Sequence, residues 1–217
     1  MLLYEEYENT IQYPVISVSS QPTLSLVTTA EAKNYLRIDS SITADDSLIG
    51  DLLAVSAKFV ESQINQVLVE TGFVQKQTGG CNTLELVKSP LVGNPVVEYY
   101  EKFDSVASLK TISTDFRVVE NELHNVNSYW SSGRQGDGYS ITYTAGMFTA
   151  GSYTSSTDKN LQIIKTAMLR FCAWLYESRE EFSGDLSEDN FTQKFSKDVP
   201  NGIINSLMPL CDGRNIL

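Results

Sequence analysis

The apolar positions divide the chain into stretches of different period. Leu48, Ile49, Leu52, Leu53, Val55, Phe59, Val60 and Ile64 recur every three to four residues. This spacing predicts an amphipathic helix of about 20 residues, roughly 30 Å long. Thr43-Ala44-Asp45-Asp46 precedes it as a capping segment, with acids at the positive end of the helix dipole. A shorter helix is predicted from Thr28, because Thr28-Thr29-Ala30-Glu31 has capping-box spacing. A third helix is predicted from Asp158, where Leu161, Ile164, Met168, Phe171 and Leu175 follow alternating steps of three and four. The second and third helices carry the two broadest apolar faces in the chain and are expected to pack on one another.

Between Val67 and Met147 the helical period disappears. Leu84 and Leu86 alternate with polar residues up to Pro90. Val96 to Tyr100, Phe116 to Val118 and Tyr139 to Tyr143 read as short strands. Gly79-Gly80, Gly93-Asn94, Asn125 and Ser131-Ser132-Gly133 supply turn signals, and Glu122 to Asn125 reads as a turn. The expected fold class is α+β: a helical bundle (28–66 and 158–179) with a small antiparallel β subdomain inserted at 67–147. Residues 1–27 read as an N-terminal arm in which Pro14 to Val18 could form an edge strand. Residues 180–199 read as an acidic loop and 200–217 as a C-terminal tail, with a short helical stretch at Ile203 to Met208 stopped by Pro209.

Composition narrows the function classes. The chain of 217 residues has 16 basic and 27 acidic residues, a formal charge of -11. A surface that grips nucleic acid phosphates or an anionic membrane needs the opposite balance. No apolar run has the length of a membrane span, and the N-terminus lacks the basic flank of a signal peptide. The three cysteines, Cys81, Cys172 and Cys211, are odd in number and widely spaced, so neither a disulfide framework nor a zinc site is expected.

Candidate chemistry is sparse. His124 could partner Cys81 or Cys172 in a dyad, but Cys172 falls within the third helix beside Phe171 and Trp174, where an inert thiol is expected. Gly133-Arg134-Gln135-Gly136-Asp137-Gly138 is Gly-rich but precedes a strand, so no helix N-terminus is available to cradle phosphate. Asp185, Glu188 and Asp189, or Asp45 and Asp46, could approach a cation, but lack the spacing of a calcium loop. No cofactor, metal site or catalytic residue is assigned, and the chain is not expected to be an enzyme. An alternative is a carbohydrate-binding or tail-accessory module that uses Tyr99, Tyr100, Tyr129, Trp130, Tyr139 and Tyr143 as a stacking surface.

Four motifs in order carry a family resemblance. Thr28 to Asp39 reads Thr-Thr-Ala-Glu-Ala-Lys-Asn-Tyr-Leu-Arg-Ile-Asp, and Asp45-Asp46-Ser47-Leu48-Ile49 opens the long helix. Ile141-Thr142-Tyr143-Thr144-Ala145-Gly146 closes the strand region, and Leu175-Tyr176-Glu177-Ser178-Arg179-Glu180 ends the third helix. With Val199-Pro200 and Ile203 to Leu210, this pattern resembles the head-tail connector (adaptor) proteins of tailed double-stranded DNA bacteriophages. The arm is longer than the family pattern, and Leu210-Cys211-Asp212 stands where an aromatic-arginine pair is common. The resemblance implies a structural virion protein at the head-tail junction, assembled in the host cytoplasm. It implies a closed ring of copies, dodecameric in the family, beneath the portal protein and above the next neck or tail protein. DNA would pass through the channel without specific binding, and no membrane is involved. On this reading the expected portal-binding tail comprises Ile203, Leu207, Met208, Leu210, Arg214, Ile216 and Leu217. Expected ring or neck contacts are Glu180, Asp185, Glu188, Asp189, Arg134 and Asp137.

Overall fold

The computed structural model describes residues 14–20, 25–101, 106–127, 129–132, 137–149, 158–178 and 199–211. They form two compact units. One comprises the described residues within Met1–Gln21 and Thr71–Ala145, the other those within Pro22–Glu70 and Gly146–Leu217.

The second unit is helical. Its helices are α1 (Thr29–Leu36), α2 (Asp46–Ile64), α3 (Lys159–Glu177) and α4 (Asn201–Leu207), the last continued by a 3-10 turn at Met208–Leu210. The expected capping box forms on α1: Thr28 Oγ1 accepts from the Glu31 amide at 3.2 Å, and the Thr28 amide donates to Glu31 Oε2 at 2.7 Å. Asp158 caps α3 by accepting from the Asn160 amide. The long helices meet through the faces the sequence marks. Ile49, Leu53, Val60 and Ile64 of α2 share one core with Leu161, Ile164, Met168, Phe171 and Leu175 of α3. Phe59 and Phe171 stack with centroids 4.0 Å apart and planes 7° from parallel. Leu26 and Val27, expected in the arm, are buried in this core.

The first unit is built of strands. A five-stranded antiparallel sheet has the order β1-β2-β8-β4-β5, formed by Val15–Ser20, Thr71–Gln77, Tyr139–Ala145, Leu91–Tyr99 and Ser108–Lys110. A three-stranded sheet has the order β3-β7-β6, formed by Thr83–Glu85, Glu122–Asn125 and Phe116–Val119. Gln75 is fully buried and its amide links strands across this unit. Its Nε2 donates to Gln77 Oε1 and the Glu85 carbonyl, while its Oε1 accepts from the Val87 amide and the Tyr143 hydroxyl. A buried amide satisfied on both sides fixes register, because a one-residue slip would orphan all four partners.

The structure corrects three expectations. A helical bundle is not supported: two of the four described helices are short, and they accompany eight strands in a mixed α and β fold with antiparallel sheets. Glu122 to Asn125 is a strand, not a turn. Its single apolar residue, Leu123, is fully buried, while Thr83 and Arg117 flank His124 in register. Asp45 precedes α2 but makes no side-chain capping bond. It accepts instead from Tyr176 on α3, and Asp46 pairs with Lys33.

Candidate functional site

The strongest local organisation lies at the α1–α2 connection. α1 ends at Arg37, which takes a left-handed conformation with φ of 60°. The chain then wraps round the Lys33 side chain, whose own exposure is 6%. Lys33 Nζ donates to the Ser40 carbonyl at 3.1 Å, the Ile42 carbonyl at 2.6 Å and Asp46 Oδ1 at 2.8 Å. These use all three donors of the ammonium. Asp39 accepts from the amide and hydroxyl of Ser41, and these bonds hold its carboxyl below the usual value. The Asp45 bond to Tyr176 ties the end of the loop to α3. The loop is therefore braced from inside and presents Ile42, which is 52% exposed. Sequence reasoning missed this arrangement, since a lysine in a short helix carries no sign that its ammonium is buried.

The described part of the tail packs against its own unit. α4 packs on α3, placing Ile203 and Leu207 in the helical core at 4% and 1% exposure. Both side chains are turned into the core of their own unit. Breaker residues isolate the segment along the chain, but its two apolar positions fall on one face and complete the core of its own unit. The Cys211 thiol donates to the Gln63 carbonyl at 3.4 Å, which fastens the end of the 3-10 turn to α2. Met208 remains 62% exposed and Leu210 is half-buried. Arg214, Ile216 and Leu217 lie outside the described residues, as do Arg134, Glu180, Asp185, Glu188 and Asp189. Asp137 is half-buried in the turn before β8.

A groove of about 400 Å³ opens beside this tail. Tyr35 of α1, Arg170, Trp174 and Glu177 of α3, and Pro200 and Ile203 at the start of α4 line it. It offers two aromatic faces with one base and one acid, a surface suited to a polypeptide segment. Trp174 is held there by stacking on Phe171, with centroids 5.6 Å apart.

The chemical candidates are absorbed by the fold. Cys172 is buried, and desolvation pushes its thiol up to about 11. Burial also raises Cys81. Both shifts disfavour the nucleophilic thiolate. His124 Nε2 lies 3.0 Å from Glu122 Oε2, within ion-pair distance but outside hydrogen-bond geometry. The aromatic stacking surface is also corrected. Trp130, Tyr139 and Tyr143 are at most 3% exposed. Trp130 packs edge-on to Tyr139 at 5.2 Å and donates from Nε1 to the Leu123 carbonyl. Of the six aromatics, Tyr129 is the one more than half exposed, so they make a core and not a platform. Among the described residues no helix is long and apolar enough to cross a membrane, and no group of three His, Cys, Asp or Glu side chains could hold a metal ion.

The sequence matches no protein-family profile and no curated protein. Its fold has counterparts among solved structures. A chain in the neck of an empty GTA particle, computed with C6 symmetry, superposes with a TM-score of 0.68 at 16% identity, covering 93% of this chain and 97% of the other. A chain of the native gene transfer agent (GTA) virion gives the same figures. A chain in the neck of the native particle, computed with C12 symmetry, gives a TM-score of 0.55 at 14% identity, covering 91% and 97%. The fold described above is thus also that of chains in these particles.

Proposed function

We propose that this chain is a structural neck protein of a tailed phage-like particle: a head-tail connector subunit that forms a ring under the portal, bridges the capsid to the tail and continues the DNA channel. The observation that carries this reading is the end-to-end fold likeness to a GTA neck chain. It spans both units and leaves almost none of the other chain unmatched. The C6 and C12 symmetries of the neighbouring necks favour a closed ring of copies. The charge of -11 suits a conduit whose wall does not hold passing DNA.

For docking to the portal or to the next neck protein, we assign the outer side of the tail, Met208 with Leu210, together with the adjoining groove. Ile203 and Leu207 support that surface from within. Labelling intact particles with an antibody to this chain, followed by electron microscopy, tests the reading. Label at the single head-tail vertex is expected. Label on fibres or along the tail, or no label on any particle, overturns it. A Met208→Glu variant is expected to fold normally and to lose incorporation into particles.

A further inference from the structure

The five-stranded sheet ends in two strands that no described strand covers, β1 on one side and β5 on the other. Natural sheets guard such edges with charge, proline or a covering element, because a bare edge recruits other strands. β1 is poorly guarded. It is six residues of Val-Ile-Ser-Val-Ser-Ser with no charge. Val15 and Val18 point to opposite faces and are 61% and 47% exposed, and Ile16 alone in the strand is half-buried. At the other end Leu109 is 66% exposed and the adjoining Val106 is 73% exposed. The one charge in β5, Lys110, lies 5.1 Å from the centre of the Tyr99 ring. One sheet therefore presents an edge without charge at β1 and an edge with a single lysine and an exposed leucine at β5.

Each neighbouring pair in the order β1-β2-β8-β4-β5 is antiparallel. Four reversals leave β1 and β5 running in the same direction. We infer that β1 of one copy adds to β5 of the next, so that the subunits of the assembly share a continuous sheet at each junction. This junction rests on the ring proposed above. β1 and β5 are different strands of the same sheet, so a contact between them is heterologous, the head-to-tail kind that closes a ring. Two copies of β1 pairing with each other would need a two-fold axis and would stop at a dimer.

Engineered cysteines test the junction, because neighbouring strands about 4.8 Å apart fall within the Cα spacing a disulfide accepts. On a background with Cys81 and Cys211 replaced by serine, Ile16→Cys, Ser17→Cys and Val18→Cys are each combined with Leu109→Cys in the full chain. At least one of the three pairs is expected to give a reducible ladder of covalent oligomers from purified assemblies. Mixing the two matching single variants should give covalent dimers and nothing larger. Dimers from a β1 single variant alone overturn the inference in favour of two-fold pairing. Intact rings by electron microscopy with no cross-link from any of the three pairs also overturn it, and leave the connector reading standing. Failure to find any ring, alone or on particles, overturns both.

Discussion

The two units solve the problem of closure in opposite ways. The helical unit turns its apolar faces inward and then folds its own tail over them, so that Ile203 and Leu207 join the α2 and α3 core. Its loops are fixed from within by Lys33 and Tyr176. The β unit is packed inside around Trp130, Phe116 and the Gln75 amide, but among the described residues no strand covers either end of its larger sheet. A helix satisfies its backbone internally, whereas a sheet satisfies its own only where another strand lies alongside. Among the described residues the chain therefore contains a helical part closed on itself and a sheet that ends in two edge strands.

The largest test of this contrast removes the centre of each core. Phe171→Ala and Trp130→Ala should each cost about 3–5 kcal/mol of stability, read by chemical denaturation. Hydrogen exchange should show the loss from Phe171→Ala concentrated in α2, α3 and α4, and that from Trp130→Ala in β6 to β8. Equal acceleration in both units from either change would mean a single cooperative block. A smaller effect is expected at the braced loop. Lys33→Met leaves the Ser40 and Ile42 carbonyls without their donor and should cost about 1–3 kcal/mol. Faster amide exchange in residues 38–46, with α3 unchanged, is the expected pattern. Thr28→Ala removes the hydroxyl half of the α1 cap and should cost about 1 kcal/mol in the melting curve.

The smallest effect is one of pH. Burial pushes the Glu31 carboxyl up, but bonds from the Thr28 amide and hydroxyl and from Lys165 outweigh it and leave the group below its ordinary value of 4.5. A carboxyl held low in the folded state stabilises above its unfolded value, and that contribution is lost as pH falls through the folded one. The melting temperature of the wild type should therefore drop further than that of Glu31→Gln between neutral pH and pH values below 4.5. Parallel acid curves for the two proteins would contradict this.

The sequence carried the helices and the more hydrophobic strands but not the tertiary partners. α2 and α3 were legible because their apolar spacing survives in the core, and the α1 cap because its two bonds join residues three apart. β7 was hidden because one buried leucine among Glu, His and Asn carries no period of two. β2 is hidden because its inward positions include two glutamines, Gln75 and Gln77, and the partners of Gln75 are distant in sequence. The packing of the tail is illegible for the same reason. Nothing local tells whether two apolar residues after a breaker will meet another protein or their own core. The candidate groove draws on α1, α3 and α4, so no contiguous motif announces it.

The chain leaves the helical unit after Glu70 and returns at Gly146, and the two crossings run side by side, with Thr71 opposite Ala145 and the Glu70 amide donating to the Phe148 carbonyl. Gly146 permits this, since a Cβ there would run into the Glu70 backbone. A segment whose ends lie side by side can be lengthened, trimmed or exchanged over generations without displacing the helices that host it. Any such exchange would have to reckon with β1, the one described strand contributed from before the helices, which pairs with β2.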